Sequence, residues 1–171
     1  MKIRTFISMA LGVILTLCVC ADVTAQQSLK EMAEQDGGDW LVGTWSATTN
    51  DGTTIKLSYA WTAGGHAARV EYHMGRIEGS GLIYYSAEDD AVHEVGVNSE
   101  GRVSKGTWIP PERGHLNTVY ESKDDWGAER SMGIARSLTP EGKMLLEVYE
   151  VSNGAFTGEA RWSIELAKVE K

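Results

Sequence analysis

Beyond Gly38 the chain alternates apolar and polar residues with a period of two, and turn signals interrupt it at intervals of roughly 8–12 residues. Residues 54–61 show the alternation most cleanly. Ile55, Leu57, Tyr59 and Trp61 fall on one face, and Thr54, Lys56, Ser58 and Ala60 on the other, as a half-buried antiparallel strand requires. Residues 66–74 continue it, with Ala68, Val70, Tyr72 and Met74 opposed to Arg69, Glu71 and His73. The same pattern predicts ten strands, at 39–49, 54–61, 66–74, 79–85, 91–98, 102–109, 115–122, 129–138, 143–151 and 158–169. Asn50-Asp51-Gly52, Glu88-Asp89-Asp90, Ser99-Glu100-Gly101 and Lys123-Asp124-Asp125 are among the turns between them. Pro110-Pro111 is expected to break the sixth strand, because neither residue can donate to a ladder. Hairpin-sized links leave no room for crossover helices. The fold predicted is all-β: one antiparallel up-and-down barrel of about ten strands. A β-sandwich is the competing architecture. Uniform spacing without long connections favours the barrel, and closure removes exposed edges.

The N-terminus follows other rules. Ser28-Leu29-Lys30-Glu31 has the spacing of a capping box, which predicts a short helix to about Gln35 that stops at Gly37-Gly38. Its apolar residues, Leu29, Met32 and Ala33, would share one face able to plug a barrel end. Before it, Lys2 and Arg4 lead into the apolar run 6–19, and Val23-Thr24-Ala25 offers small residues for cleavage. This is the layout of a secretory signal peptide over residues 1–25. The run of about 14 apolar residues falls short of the ~20 that span a bilayer. The expected product is one domain, residues 26–171, secreted or periplasmic and without a transmembrane segment.

Composition sharpens this reading. Both cysteines, Cys18 and Cys20, lie in the leader, so the mature chain has no disulfide and no thiol chemistry. Loss of Lys2, Arg4 and Asp22 takes the net charge from −8 to −9. So acidic a domain repels nucleic acid and anionic lipid. Six Trp and six Tyr supply large apolar surfaces that carry an NH or OH, suited to rims and half-polar cavities.

Leu41-Val42-Gly43-Thr44-Trp45, Trp61-Thr62-Ala63-Gly64-Gly65, Glu78-Gly79-Ser80-Gly81-Leu82-Ile83-Tyr84-Tyr85 and Val148-Tyr149-Glu150 follow one another in order. In this ordered set, from about Asp39 to Lys168, the chain resembles the secreted bacterial lipocalin-like β-barrels, calycin relatives classed as a domain of unknown function. The resemblance implies a barrel of about ten strands and no established activity. It also implies that Trp45 closes one end from inside, with an arginine from a late strand set against its ring. Arg136 and Arg161 are both candidates. Gly43, lacking a side chain, would let another backbone or ring approach the first strand closely.

The inward phase from Trp45 continues through Ala47 and Thr49. The apolar faces nominate Leu57, Tyr59, Trp61, Val70, Tyr72, His93, Val95, Tyr120, Met132 and Trp162 as ligand-contacting interior residues. Val97, Leu116, Ile134 and Ile164 would stand beside them. Ten strands enclose more space than the eight that side chains just fill, so a cavity is expected. The function expected is binding of a small hydrophobic or amphipathic molecule. A side-chain-filled interaction barrel is the alternative.

No metal or other cofactor is expected. His66 and His73 are seven apart, hence on opposite faces of a strand, and His93 and His115 lack ligand-like spacing. Related ten-stranded haem barrels use a histidine near the C-terminus and a Gly-rich continuation after Gly-x-Trp. Here no histidine follows His115, and Ser46-Ala47-Thr48-Thr49 takes the place of that continuation. No nucleophile-elbow, zincin or phosphate-loop motif occurs, so no catalytic residue is assigned. A hydrolase or isomerase would have to rest on a buried strand acid among Glu94, Glu121 and Glu147.

Overall fold

Alternation along ten strands produces a closed antiparallel barrel in the computed structural model, which describes residues 27–112, 114–123 and 126–170. The leader and its cleavage site lie outside the described residues, as do Asp124 and Asp125 of the predicted 123–125 turn. The strands are β1 (Gly43–Thr48), β2 (Thr54–Thr62), β3 (Ala67–Met74), β4 (Ile77–Ser86) and β5 (Ala91–Asn98), followed by β6 (Val103–Glu112), β7 (His115–Lys123), β8 (Glu129–Leu138), β9 (Met144–Ser152) and β10 (Ala155–Lys168). Each pairs with its neighbour in sequence, and β1 pairs with β10 to close the ring.

A seven-residue helix, α1 (Leu29–Gln35), precedes the barrel. Ser28 Oγ accepts from the Glu31 amide, and the Glu31 carboxylate accepts from the Ser28 amide, completing the capping box. Leu29 is buried in the same cluster as Trp45 and Leu57, while Met32 and Ala33 are half-buried. Gly38 lies against Leu116 at the start of β7. The helix thus covers the mouth where β1 begins and β2 ends.

Three boundaries depart from expectation by three residues or more. The stretch 39–41 is a 3-10 turn, not strand, and Leu41 is buried beneath it. β6 runs through Pro110-Pro111 to Glu112 with a register shift after Ile109. A bulge leaves unpaired the positions where a missing donor would otherwise break the ladder. β10 starts at Ala155, ahead of the predicted 158, and shifts register between Thr157 and Trp162 around Gly158, whose φ is +70°.

The core reaches the covered mouth with Trp45, Tyr59, Met144 and Leu166 and continues along β2 through Leu57 to Ile55, all of them buried. Each such side chain stabilises the fold by roughly 1.5–3 kcal/mol relative to exposure. The Trp45 Nε1 donates to the Leu41 carbonyl at 2.8 Å, and its ring meets Trp40 edge-on at 5.9 Å. Several glycines are spaces for a side chain from another strand. A Cβ at Gly79 would run into the Tyr72 ring, one at Gly106 would stand 2.9 Å from Thr118 and Tyr120, and one at Gly133 would meet Phe156.

Candidate functional site

Paired strands keep directly opposed residues on one face. The row Trp61–Ala68–Ile83–Glu94–Gly106–Tyr120–Met132 therefore crosses β2 to β8 on the inner wall. Next to it runs Trp108–Thr118–Ile134–Val148–Trp162. Arg136, paired with Leu116 and Leu146, stands one inward step beyond Ile134. These rows place Glu94, Thr118, Tyr120 and Arg136 inside the barrel.

Arg136 is 3% exposed. Its Nε donates to the Tyr59 hydroxyl at 3.2 Å, one terminal nitrogen to Thr118 Oγ1 at 2.8 Å and the other to the Tyr120 hydroxyl at 3.0 Å. The guanidinium carbon also lies 5.0 Å from the centre of the Trp108 ring, within range of a cation–π contact. Burial works against the charge on Arg136. The oxygens of Tyr59 and Tyr120 and the Glu94 carboxylate outweigh it and hold the guanidinium protonated. The Tyr59 and Tyr120 phenols are pushed up, chiefly by burial and further by Glu94, against the opposing pull of Arg136. Tyr120 accepts from Arg136, and the Glu94 carboxylate adds to the upward push on its phenol.

Glu94 is the inward acid of β5 and is 8% exposed. Among the described residues its Oε2 has no hydrogen-bond partner, nor does the indole nitrogen of Trp108. Both atoms belong to residues that act directly on Arg136. An unsatisfied buried polar atom costs about 1–3 kcal/mol, so two around one guanidinium mark a place able to accept a polar group.

Towards the uncovered mouth the inward rows become accessible. Met132 is 42% exposed and Trp162 39%, and Tyr72 is half-buried over Gly79. Inward residues this exposed line an opening. Tyr72, Met132 and Trp162 thus stand on the inward face towards the uncovered end, and Arg136, Tyr120 and Glu94 are the buried polar side chains of the same wall.

Of the residues nominated from sequence, Leu57, Tyr59, Val70 and Tyr120 are buried inside. Trp61, half-buried, packs on the same core. His93 and Val95 face outwards instead, as does Val97. The apolar Val95 and Val97 on the same face suggested the interior, but pairing of Glu94 with Ile83 and Gly106 fixes the opposite phase. His93 bonds Asp89 at 2.7 Å and packs against Tyr84 at 5.8 Å on the outer wall. His66 lies outside β3, at the end of the 3-10 turn Ala63–Gly65, so the two histidines do not share a strand.

The barrel-closing assignments also change. The cation over Trp45 is Lys168, its Nζ 4.9 Å from the ring centre and 3.3 Å from the Trp40 carbonyl. Arg136 attends Trp108 instead, and Arg161 is ion-paired with Glu150 in an exposed position. Gly43, at φ +132°, admits the Lys168 stem: a Cβ there would stand 2.8 Å from Lys168 Cε. Sequence reasoning missed Lys168, Thr118, Trp108 and the burial of Glu94. For Thr118 a signal existed, its place between Leu116 and Tyr120 on one face of β7. Lys168 had none, because a lysine at a strand end ordinarily faces water.

Of the three strand acids, Glu121 is exposed and Glu147, half-buried, lies beside Tyr149, whose phenol is pushed up by burial and by Glu147. Outside the barrel a groove of about 470 Å³ runs along Leu82, Val95, Val97 and Val103. No described helix is long and apolar enough to cross a membrane. Compared with protein-family models and with curated proteins, the chain matches none.

Proposed function

We propose that this barrel is a lipocalin-like, calycin-related binding protein for a small amphipathic molecule. Its apolar part would lie against Tyr72, Met132 and Trp162, and its polar end would reach towards Arg136 and Glu94. The observation that carries the reading is the buried polar centre itself. A barrel that needed only a packed core gains little from an arginine, an acid and two tyrosines at its heart, since well-packed apolar residues are often as stable or more so. We further propose that the leader is cleaved after Ala25 and that the protein works outside the cytoplasm, as a secreted or periplasmic product beginning at Gln26.

Native mass spectrometry of the protein purified from its own host tests the binding reading. A co-purifying small molecule is expected, with Trp162→Ala lowering its occupancy. A mass equal to the bare chain, with no thermal shift across a lipid and metabolite screen, would sink it. That outcome would favour the second reading, an interaction barrel. Its support is the solid packing of Trp45, Thr118, Met144 and Leu166, together with the outer apolar groove.

A further inference from the structure

The charges inside the barrel restrict the chemistry of the polar end. Arg136 and Glu94 are both buried and interact with one another, so the interior carries one charge of each sign. Three of the five N–H donors of a guanidinium are engaged by Tyr59, Thr118 and Tyr120. Glu94 Oε2 is an acceptor without a donor, and Trp108 Nε1 is a donor without an acceptor. A guest that adds a net charge here would leave that charge uncompensated in a low-dielectric interior, which costs several kcal/mol. A guest that only accepts would leave Glu94 unsatisfied. The group that fits both orphans donates one hydrogen bond, accepts another and carries no charge.

We propose that Glu94, Trp108 and Arg136 form a head-group site for a hydroxyl, so that the barrel takes a long-chain or polycyclic alcohol in preference to a fatty acid or an amine. This rests on the binding function proposed above. The hydroxyl donates to Glu94 Oε2 and accepts from Trp108 Nε1 or a remaining Arg136 N–H, while its carbon skeleton runs towards the open mouth.

Three probes of one chain length separate the possibilities: decan-1-ol, decanoate and decylammonium, titrated against the folded wild-type protein at neutral pH and followed by tryptophan emission. Decan-1-ol is expected to bind at least about tenfold more tightly than either ion, the factor that one unsatisfied buried group is worth. Glu94→Gln keeps the shape and removes the negative charge, leaving Arg136 uncompensated. In that variant decanoate should overtake decan-1-ol. Should Glu94→Gln fail to fold, the wild-type order decides alone. Either ion binding the wild type as tightly as the alcohol overturns the hydroxyl assignment and leaves a binding barrel standing. No binding by any of the three overturns the binding reading, and this assignment with it.

Discussion

Tyr59 and Tyr120 show how a side chain chosen for its ring becomes committed to its hydroxyl. Each fills the interior as an aromatic would, yet each oxygen also accepts from Arg136. Burial holds both phenols above the ordinary tyrosine value, which is about 10. In the unfolded chain they ionise near that value, whereas in the barrel they stay neutral to higher pH. The stability they confer is therefore complete below about pH 10 and is lost as pH rises beyond it towards the folded values. The melting temperature should stay level into mildly alkaline solution and fall above about pH 10. Tyr120→Phe, whatever its own cost at neutral pH, should flatten that fall. Melts followed by circular dichroism over an alkaline pH series check this, and an equally steep fall in the variant would count against it. The sequence placed both tyrosines inside because they sit on faces of uniform character. It did not reveal Glu94, since an acid between His93 and Val95 looks like the solvent side of its strand. Lone polar residues can be assigned to a face only when the neighbouring strand fixes the register.

Secondary elements were legible to the extent that local rules decide them. The period of two found all ten strands, and the Ser28 box found α1. What it missed lies where pairing overrules local preference: the bulge that carries β6 through Pro110-Pro111, and the early start of β10 before Gly158. The helix is a sharper test of local rules, because seven residues make a marginal helix in isolation. Its cap and its docked Leu29 have to hold it together. Ser28→Ala removes the side-chain acceptor for the Glu31 amide and should destabilise the covering helix by about 1 kcal/mol. Amides of residues 31–35 should then exchange faster with deuterium while those of β8 and β9 are unchanged. Uniform loosening of the whole barrel would show instead that the helix is part of one cooperative unit with the strands.

Closure is the property of the whole molecule, and it rests on an uneven ring. β2–β3 and β3–β4 each pair along eight successive positions, whereas β1 and β10 are registered at Trp45 with Lys168 and Ser46 with Ala167. One further backbone bond, from the Val169 amide to the Thr44 carbonyl, extends that seam. Side chains reinforce what the ladder lacks. The Lys168 ammonium sits over Trp45 and reaches the Trp40 carbonyl, so one residue ties the last strand to the first strand and to the turn before it. A cation–π contact of this kind is worth roughly 0.5–2 kcal/mol. The seam should therefore be where the barrel opens first. Native-state hydrogen exchange is expected to show lower opening free energies for the seam amides of β1 and β10 than for β3 amides bonded to β2 or β4. Lys168→Met keeps an apolar stem over Trp45 and removes the charge, so it should speed exchange at the seam without altering β3 and β4. Were the seam amides protected as strongly as those of β3, closure would have to depend on the buried packing of Trp45, Met144 and Leu166 more than on the short ladder. Opening at this seam would also expose two free strand edges, the feature that barrel closure otherwise abolishes. A variant with a loosened seam should consequently associate with itself at concentrations where the wild type stays dispersed, which light scattering would detect.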